Sequence, residues 1–222
     1  MYSEKTNKEL VEFLEQAHML TFESQLNLND EFNTRKLPVD KSGLEALISE
    51  KLERIKNLEY LKDFGFVAEL QEDRVVITRT TRAKLLDIFA VVVGLLVFLA
   101  GVYGVASLVS IVVNGEDINV FTLAIDFAMA SLLFTGFRFF SGLKRLLDFS
   151  GFQLSHTQGL VTLKKRMDLK LEEIQKAASD IALVTDGDVM SIMLGKHTIF
   201  KSNAENLIQR MTLEELANRL KS

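Results

Sequence analysis

From Leu85 to Val113 the chain runs 29 residues with one charge, Asp87, a turn in from the start. A helix crosses the hydrocarbon of a bilayer with about 20 apolar residues, so this run is ample. A soluble domain of this size has little room to bury such a helix on every side. A second run, Val120 to Leu147, is interrupted by Asp126 and Arg138. Either charge would cost roughly 2.5–3.5 kcal/mol at the bilayer centre. With an apolar core near Thr122 to Gly142, each lies about one turn inside an opposite edge and reaches water by snorkelling. The link between the runs, Asn114 to Asn119, is short and polar, which makes the two helices antiparallel neighbours.

Basic residues near the ends of the spans set orientation. Arg74, Arg79, Arg82 and Lys84 precede the first helix, Lys144 and Arg145 close the second, and the link has none. Both termini are therefore expected in the cytoplasm, with Glu116 and Asp117 outside. Small residues let helices approach closely in lipid. Ala90, Gly94, Gly101 and Gly104 form one small stripe. Ala124, Ala128, Ser131, Thr135, Arg138 and Gly142 form another, and the two predict the seam. That geometry turns Asp126 about 200° away, onto an outer face shared with Met129, Leu133, Phe137 and Phe140. An intramembrane carboxylate there marks either the hydrated interface or a contact with another copy.

The charge balance, 26 Lys and Arg against 30 Asp and Glu, does not suit a nucleic-acid partner. No cysteine is present, which removes disulfides, thiolate metal sites and catalytic thiols. The first twenty residues are charged and lack the apolar core of a signal peptide, so insertion is expected to rely on the internal hairpin.

Outside the hairpin, residues 1–65 predict a helical segment. Ser3 is a candidate cap for a helix with Leu10, Val11, Leu14 and Ala17 on its apolar side. A short helix is expected around Phe22 to Phe32. After Pro38, Asp40 or Ser42 caps a helix whose stripe is Leu44, Leu47, Ile48, Leu52, Ile55, Leu58 and Leu61. Gly65 stops it. Residues 66–84 read as a β-hairpin leading to the membrane, with strands Phe66–Leu70 and Val75–Thr80. Residues 148–222 read as short strands: Phe152–Ser155, Leu160–Arg166, Leu169–Ile174, Ile181–Thr185, Val189–Leu194 and Thr198–Lys201. Gln158-Gly159, Asp186-Gly187 and Gly195-Lys196 supply turns between them. A final amphipathic helix is expected, with Ser202/Glu205 and Thr212/Glu215 at capping-box spacing.

The segment Gly151-Phe-Gln-Leu-Ser-His-Thr-Gln-Gly159, then Leu160–Arg166 and Leu171-Glu-Glu-Ile174, preceded by the hairpin, resembles the bacterial pleckstrin-homology-like membrane proteins. The resemblance covers about the last 75 residues and the hairpin. It implies an antiparallel barrel of seven strands closed by one helix. Six candidate strands follow the hairpin, so Phe66–Leu70 or Val75–Thr80 is the candidate to complete the sheet, which would make the hairpin an insertion.

No nucleotide-binding loop, nucleophile elbow, His-Glu-x-x-His or dinucleotide glycine fingerprint occurs. His18, His156 and His197 lie in different elements and read as surface or turn residues. Asp186 and Asp188 flank a turn glycine without the further oxygens of a calcium loop. No enzyme activity and no cofactor are expected. The basic set Arg79, Arg82, Lys84, Lys144, Arg145, Lys164, Lys165 and Arg166 is the candidate contact for anionic headgroups.

The expectation is an α+β membrane protein: a two-helix transmembrane hairpin (residues 85–147), a cytoplasmic antiparallel β meander or barrel closed by a C-terminal helix, and an N-terminal helical segment ending in a β-hairpin. It is expected to pass twice through a bacterial inner membrane and to act as a scaffold or adaptor. Its partners would be the bilayer, a protein or further copies of itself. An oligomeric pore built on Asp126 and Arg138 is the alternative. A membrane-tethered winged-helix DNA binder is a further one, disfavoured by the mixed charge of its recognition helix.

Overall fold

The computed structural model describes residues 2–71, 74–114, 119–139, 141–167 and 170–222. Among them are seven α-helices and eight strands. In chain order these are α1 (Asn7–Glu15), α2 (Phe22–Arg35), α3 (Ser42–Lys56), β1 (Phe66–Gln71), β2 (Arg74–Arg79), α4 (Thr81–Asn114), α5 (Val120–Phe139) and α6 (Ser141–Asp148). Then come β3 (Gln153–Thr157), β4 (Leu160–Met167), β5 (Lys170–Ala177), β6 (Ile181–Asp186), β7 (Val189–Leu194), β8 (His197–Asn203) and α7 (Leu207–Lys221). The strands form two antiparallel sheets, in the orders β1-β2-β3-β4-β5 and β6-β7-β8. All eight expected strands are present. Because β2 is bonded to β3, the apolar helices are an excursion between two neighbouring strands of one sheet.

The chain divides into two compact units. The first comprises Met1–Ile77, Ser155–Thr162 and Gln175–Ser222. Its helical part starts at a capping box. Thr6 Oγ1 accepts from Glu9 N at 3.3 Å, and Glu9 Oε2 accepts from Thr6 N at 2.8 Å. Thr6, not Ser3, is therefore the cap, because the box satisfies two orphan amides at once. Leu10, Leu28, Phe32, Leu44 and Ile55 are buried together in one core. Leu207, Ile208 and Met211 of α7 pack onto that same core. Arg35 ties the start of the chain to α2, donating to the carbonyls of Tyr2, Ser3 and Lys5. The long helix expected through Leu61 ends instead at Lys56. Leu58 turns left-handed (φ 56°), a 3-10 turn covers Glu59–Phe64, and Leu58 and Leu61 stay buried in the broken geometry.

The second sheet registers Asp186 on Val189 and Leu194 on His197, so both connections are tight turns. Inward-facing Ile192 and Leu194 are fully buried. α7 covers this sheet with Leu213, Leu216, Ala217 and Leu220, each leucine contributing about 1.5–3 kcal/mol of burial. Thr212 is not a second cap. It lies inside α7, buried, with its hydroxyl donated to Ile208 O at 2.7 Å. Asn206 is the cap that the structure uses. His156 corrects a further expectation: it is buried in β3, and its Nε2 has no hydrogen-bond partner among the described residues.

The second unit comprises Thr78–Leu154 and Leu163–Ile174. α4 has 34 residues, about 51 Å at 1.5 Å per residue, and its mean hydropathy reaches 2.7. α5 with α6 covers Val120–Asp148 at 1.8. Both helices are long and apolar enough to cross a membrane, and little of either is buried inside the molecule. They lie antiparallel: Gly104 meets Ala130, Gly101 meets Leu133, Phe98 meets Gly136 and Ala90 meets Gly142.

Candidate functional site

From Phe98 to Gly104 the seam is built small against large, which corrects the stripe expected on α5 from Ala124 to Thr135, while its last member, Gly142, does meet Ala90 as expected. A Cβ on Gly101 would stand 2.5 Å from Leu133 N, and one on Gly104 would stand 2.7 Å from Met129 Cβ. α4 thus supplies the hollows, through the glycines the sequence pointed to. Into them come the α5 backbone at Ala130 and Leu133 and the side chains of Met129 and Leu133. In return Gly136 makes room for Phe98. Dispersion favours a bulky group in a glycine hollow over two small faces with a gap between them. Ala124, Ala128, Ser131 and Thr135 are accordingly exposed, and Met129 and Leu133 are turned inward. Phe137 stays largely exposed, its edge against Phe98.

The same rotation places Asp126 on the seam. It is 4% exposed, and its Oδ2 accepts from Ser107 Oγ at 2.7 Å. The expected outward carboxylate is therefore an inward one. Arg138 lies in α5, its side chain outside the described residues, as are Phe140, Glu116 and Asp117.

A buried ionic constellation stands at the other end of the helix pair. β2 ends at Arg79. Thr80 Oγ1 then accepts from Ala83 N at 3.1 Å, which starts α4. Two turns later comes Asp87, its side chain 2% exposed. Arg79 Nη2 donates to Asp87 Oδ2 at 2.6 Å, and Arg145 Nε of α6 donates to Oδ1 at 2.7 Å. Both carboxylate oxygens are thus satisfied by charged donors, which is what burial of an ion demands. Arg79 also lies 4.8 Å from the centre of the Phe149 ring, and Lys165 Nζ stands 5.7 Å from the same ring. Phe152 closes on Phe149 edge-on at 5.6 Å.

Of the basic residues singled out in sequence, this cluster joins Arg79, Arg145 and Lys165. Arg79 is buried and turned inward; Arg145 keeps 57% of its side chain exposed. Lys164 pairs with Glu173 at 3.2 Å, Arg166 is half-buried, and Arg82, Lys84 and Lys144 are exposed. Sequence reasoning missed Asp87 as the centre. The available signal was its lone charge at the mouth of an apolar run, with arginines flanking both ends of the hairpin.

No group of acidic, histidine or cysteine side chains suited to a metal ion occurs among the described residues. An open groove of about 480 Å³ lies in the first unit, lined by Val11, Leu14, Leu44 and Leu47 with Glu15 and Asp40 among its polar groups. Asp40 accepts from Ser42 N at 3.0 Å, which holds its carboxyl below the usual range. Comparison with protein-family models, curated proteins and solved structures finds no match to this chain.

Proposed function

We propose that this chain is a two-pass membrane protein whose soluble mass lies in the cytoplasm, where it serves as a scaffold or adaptor for a protein partner or an anionic lipid surface. The observation that carries the reading is the outer surface of the helix pair. Leu96, Tyr103, Val112, Phe121, Phe127 and Phe134 are all more than half exposed, and Phe134 is 80% exposed. A continuous apolar face of this kind belongs against lipid or a partner, not water. Positive residues at the Arg79–Arg145 end, with none from Asn114 to Asn119, favour a cytoplasmic position for that end.

A pleckstrin-homology-like plan for the β part would take β2–β5, β6–β8 and the closing α7, with β1 as an eighth strand at the edge of the first sheet. The rest of the reading follows from the exposed apolar face of the helices and the basic residues at their Arg79–Arg145 end. The pore alternative draws no support from Asp126, which is held inside the seam by Ser107. The winged-helix alternative needs a free two-stranded wing, whereas β2 is bonded to β3.

The cysteine-free sequence makes the test direct. Asn119→Cys should react with a membrane-impermeant maleimide in intact spheroplasts, and Ser222→Cys only after permeabilisation. Labelling of both without permeabilisation, or recovery of the chain in the soluble fraction, would overturn the reading.

A further inference from the structure

We propose that Arg145 and Lys165 hold the phosphate of an anionic lipid headgroup, with Asp87 as the fixed counter-ion that positions Arg145 and the Phe149 ring as the surface on which Lys165 lies. The proposal deepens the membrane reading above and rests on it. The stretches 79–87, 144–149 and 164–166 carry eight basic residues against two acidic ones, Asp87 and Asp148. Within the linked cluster the count is three cations, Arg79, Arg145 and Lys165, to the one carboxylate of Asp87.

The cations are not equivalent. Arg79 is buried between Asp87 and the face of Phe149, so its charge is balanced internally. Arg145 directs Nε and Nη2 to Asp87 Oδ1, yet 57% of its side chain faces outward. A guanidinium has five N–H donors in a planar fork, so the outward edge remains able to donate to a phosphate oxygen. Lys165 is half-buried over Phe149 and has no carboxylate partner among the described residues. These two cations therefore lack a full counter-charge. Arg145 is bonded to Asp87 near the start of an apolar helix, where headgroup phosphates would lie in the membrane reading. The bond from Asp87 fixes the Arg145 side chain before a ligand arrives, which lowers the entropy cost of binding.

The test uses the full chain in uncharged detergent micelles, with thermal unfolding followed during titration. The additions are short-chain phosphatidylglycerol, short-chain phosphatidylcholine or inorganic phosphate. Phosphatidylglycerol should raise the midpoint of unfolding most. Its half-saturating concentration should rise about fivefold in Lys165→Gln and again in Arg145→Gln. Lys196→Gln, the same charge change in an exposed turn, should leave it unaltered. Lys165→Gln leaves both Asp87 pairs intact, so its result stands even where Arg145→Gln loosens the fold. An unchanged half-saturation in Lys165→Gln would overturn the site. Equal shifts from inorganic phosphate would assign it to a free anion, and equal shifts from phosphatidylcholine would remove the requirement for net negative charge; either overturns the lipid assignment. The membrane reading itself fails or stands separately, on the Asn119→Cys labelling.

Discussion

The hydroxyl of Ser107 donates to Oδ2 of Asp126 at 2.7 Å, across a seam where the neighbouring contacts are apolar. Interhelical hydrogen bonds of this kind contribute about 0.6–2 kcal/mol in membrane proteins. Ser107→Ala should lower stability by about that amount, read as a shift in unfolding midpoint in detergent. Asp126→Asn keeps an acceptor for Ser107 and should cost less than Asp126→Leu. Asp126→Leu should leave vesicle ion leak unchanged; an altered leak would revive a pore.

Asp87 should be the costliest polar position in the hairpin. Its side chain and that of Arg79 are 2% and 6% exposed, and removing one member of a buried pair leaves the other uncompensated. Asp87→Asn is expected to lose about 3 kcal/mol of stability. Arg145→Gln, on the exposed arm of the same cluster, should lose about 1 kcal/mol or less. A double-mutant cycle over Arg79 and Asp87 separates their coupling from simple loss of packing.

The glycine hollows give a contrast within one seam. Gly101→Ala and Gly104→Ala each drive a Cβ into α5 backbone or side chain and should cost about 1–3 kcal/mol. Gly142→Ala meets Ala90 Cβ at an ordinary 3.5 Å and should be tolerated. Thermal unfolding of the three purified variants side by side distinguishes close approach from a general preference for small residues.

The capping box of α1 has a pH signature. Hydrogen bonds from Thr6, its backbone amide first, and the Lys5 ammonium hold the Glu9 carboxyl below the usual glutamate range. A group lowered on folding stabilises above its unfolded pKa, about 4.3, and that contribution is lost as pH falls through the folded value. Glu9→Gln should therefore unfold earlier than the parent at neutral pH. The difference should close in strongly acid buffer. A gap that is constant with pH would assign Glu9 a packing role alone.

α7 joins the β6–β8 sheet to the N-terminal helices, so a core cut at one end should be felt at the other. Leu213→Ala is expected to cost about 2–5 kcal/mol. Hydrogen exchange should show α2 and α3 losing protection together with α7, because Leu207, Ile208 and Met211 share the core of Leu28, Phe32 and Leu44.

Local pattern was enough to find the elements. The apolar run marked α4, alternation and turn glycines marked the eight strands, and the glycines of α4 marked its inner face. Each of these depends on neighbours within a few residues. The face of α5 was not legible in the same way. A small stripe and a bulky stripe both suit a seam, and the choice depends on the hollows the opposite helix presents. The cap of α1 is Thr6 and not Ser3 because Thr6 has Glu9 three residues on, the pairing that satisfies both amides, whereas Ser3 has Thr6 there.

What the sequence determined alone is the pair of helices able to cross a membrane, the strand-rich segment after them, and the absence of cysteine chemistry. Those follow from composition and period. Tertiary structure decided that the hairpin leaves and re-enters one sheet between β2 and β3, that Asp126 faces Ser107, and that Asp87 gathers Arg79 and Arg145. These are pairings across 8 to 58 residues of chain. A buried charge takes its partner from whatever the packed fold brings within hydrogen-bond reach, and chain spacing does not contain that distance.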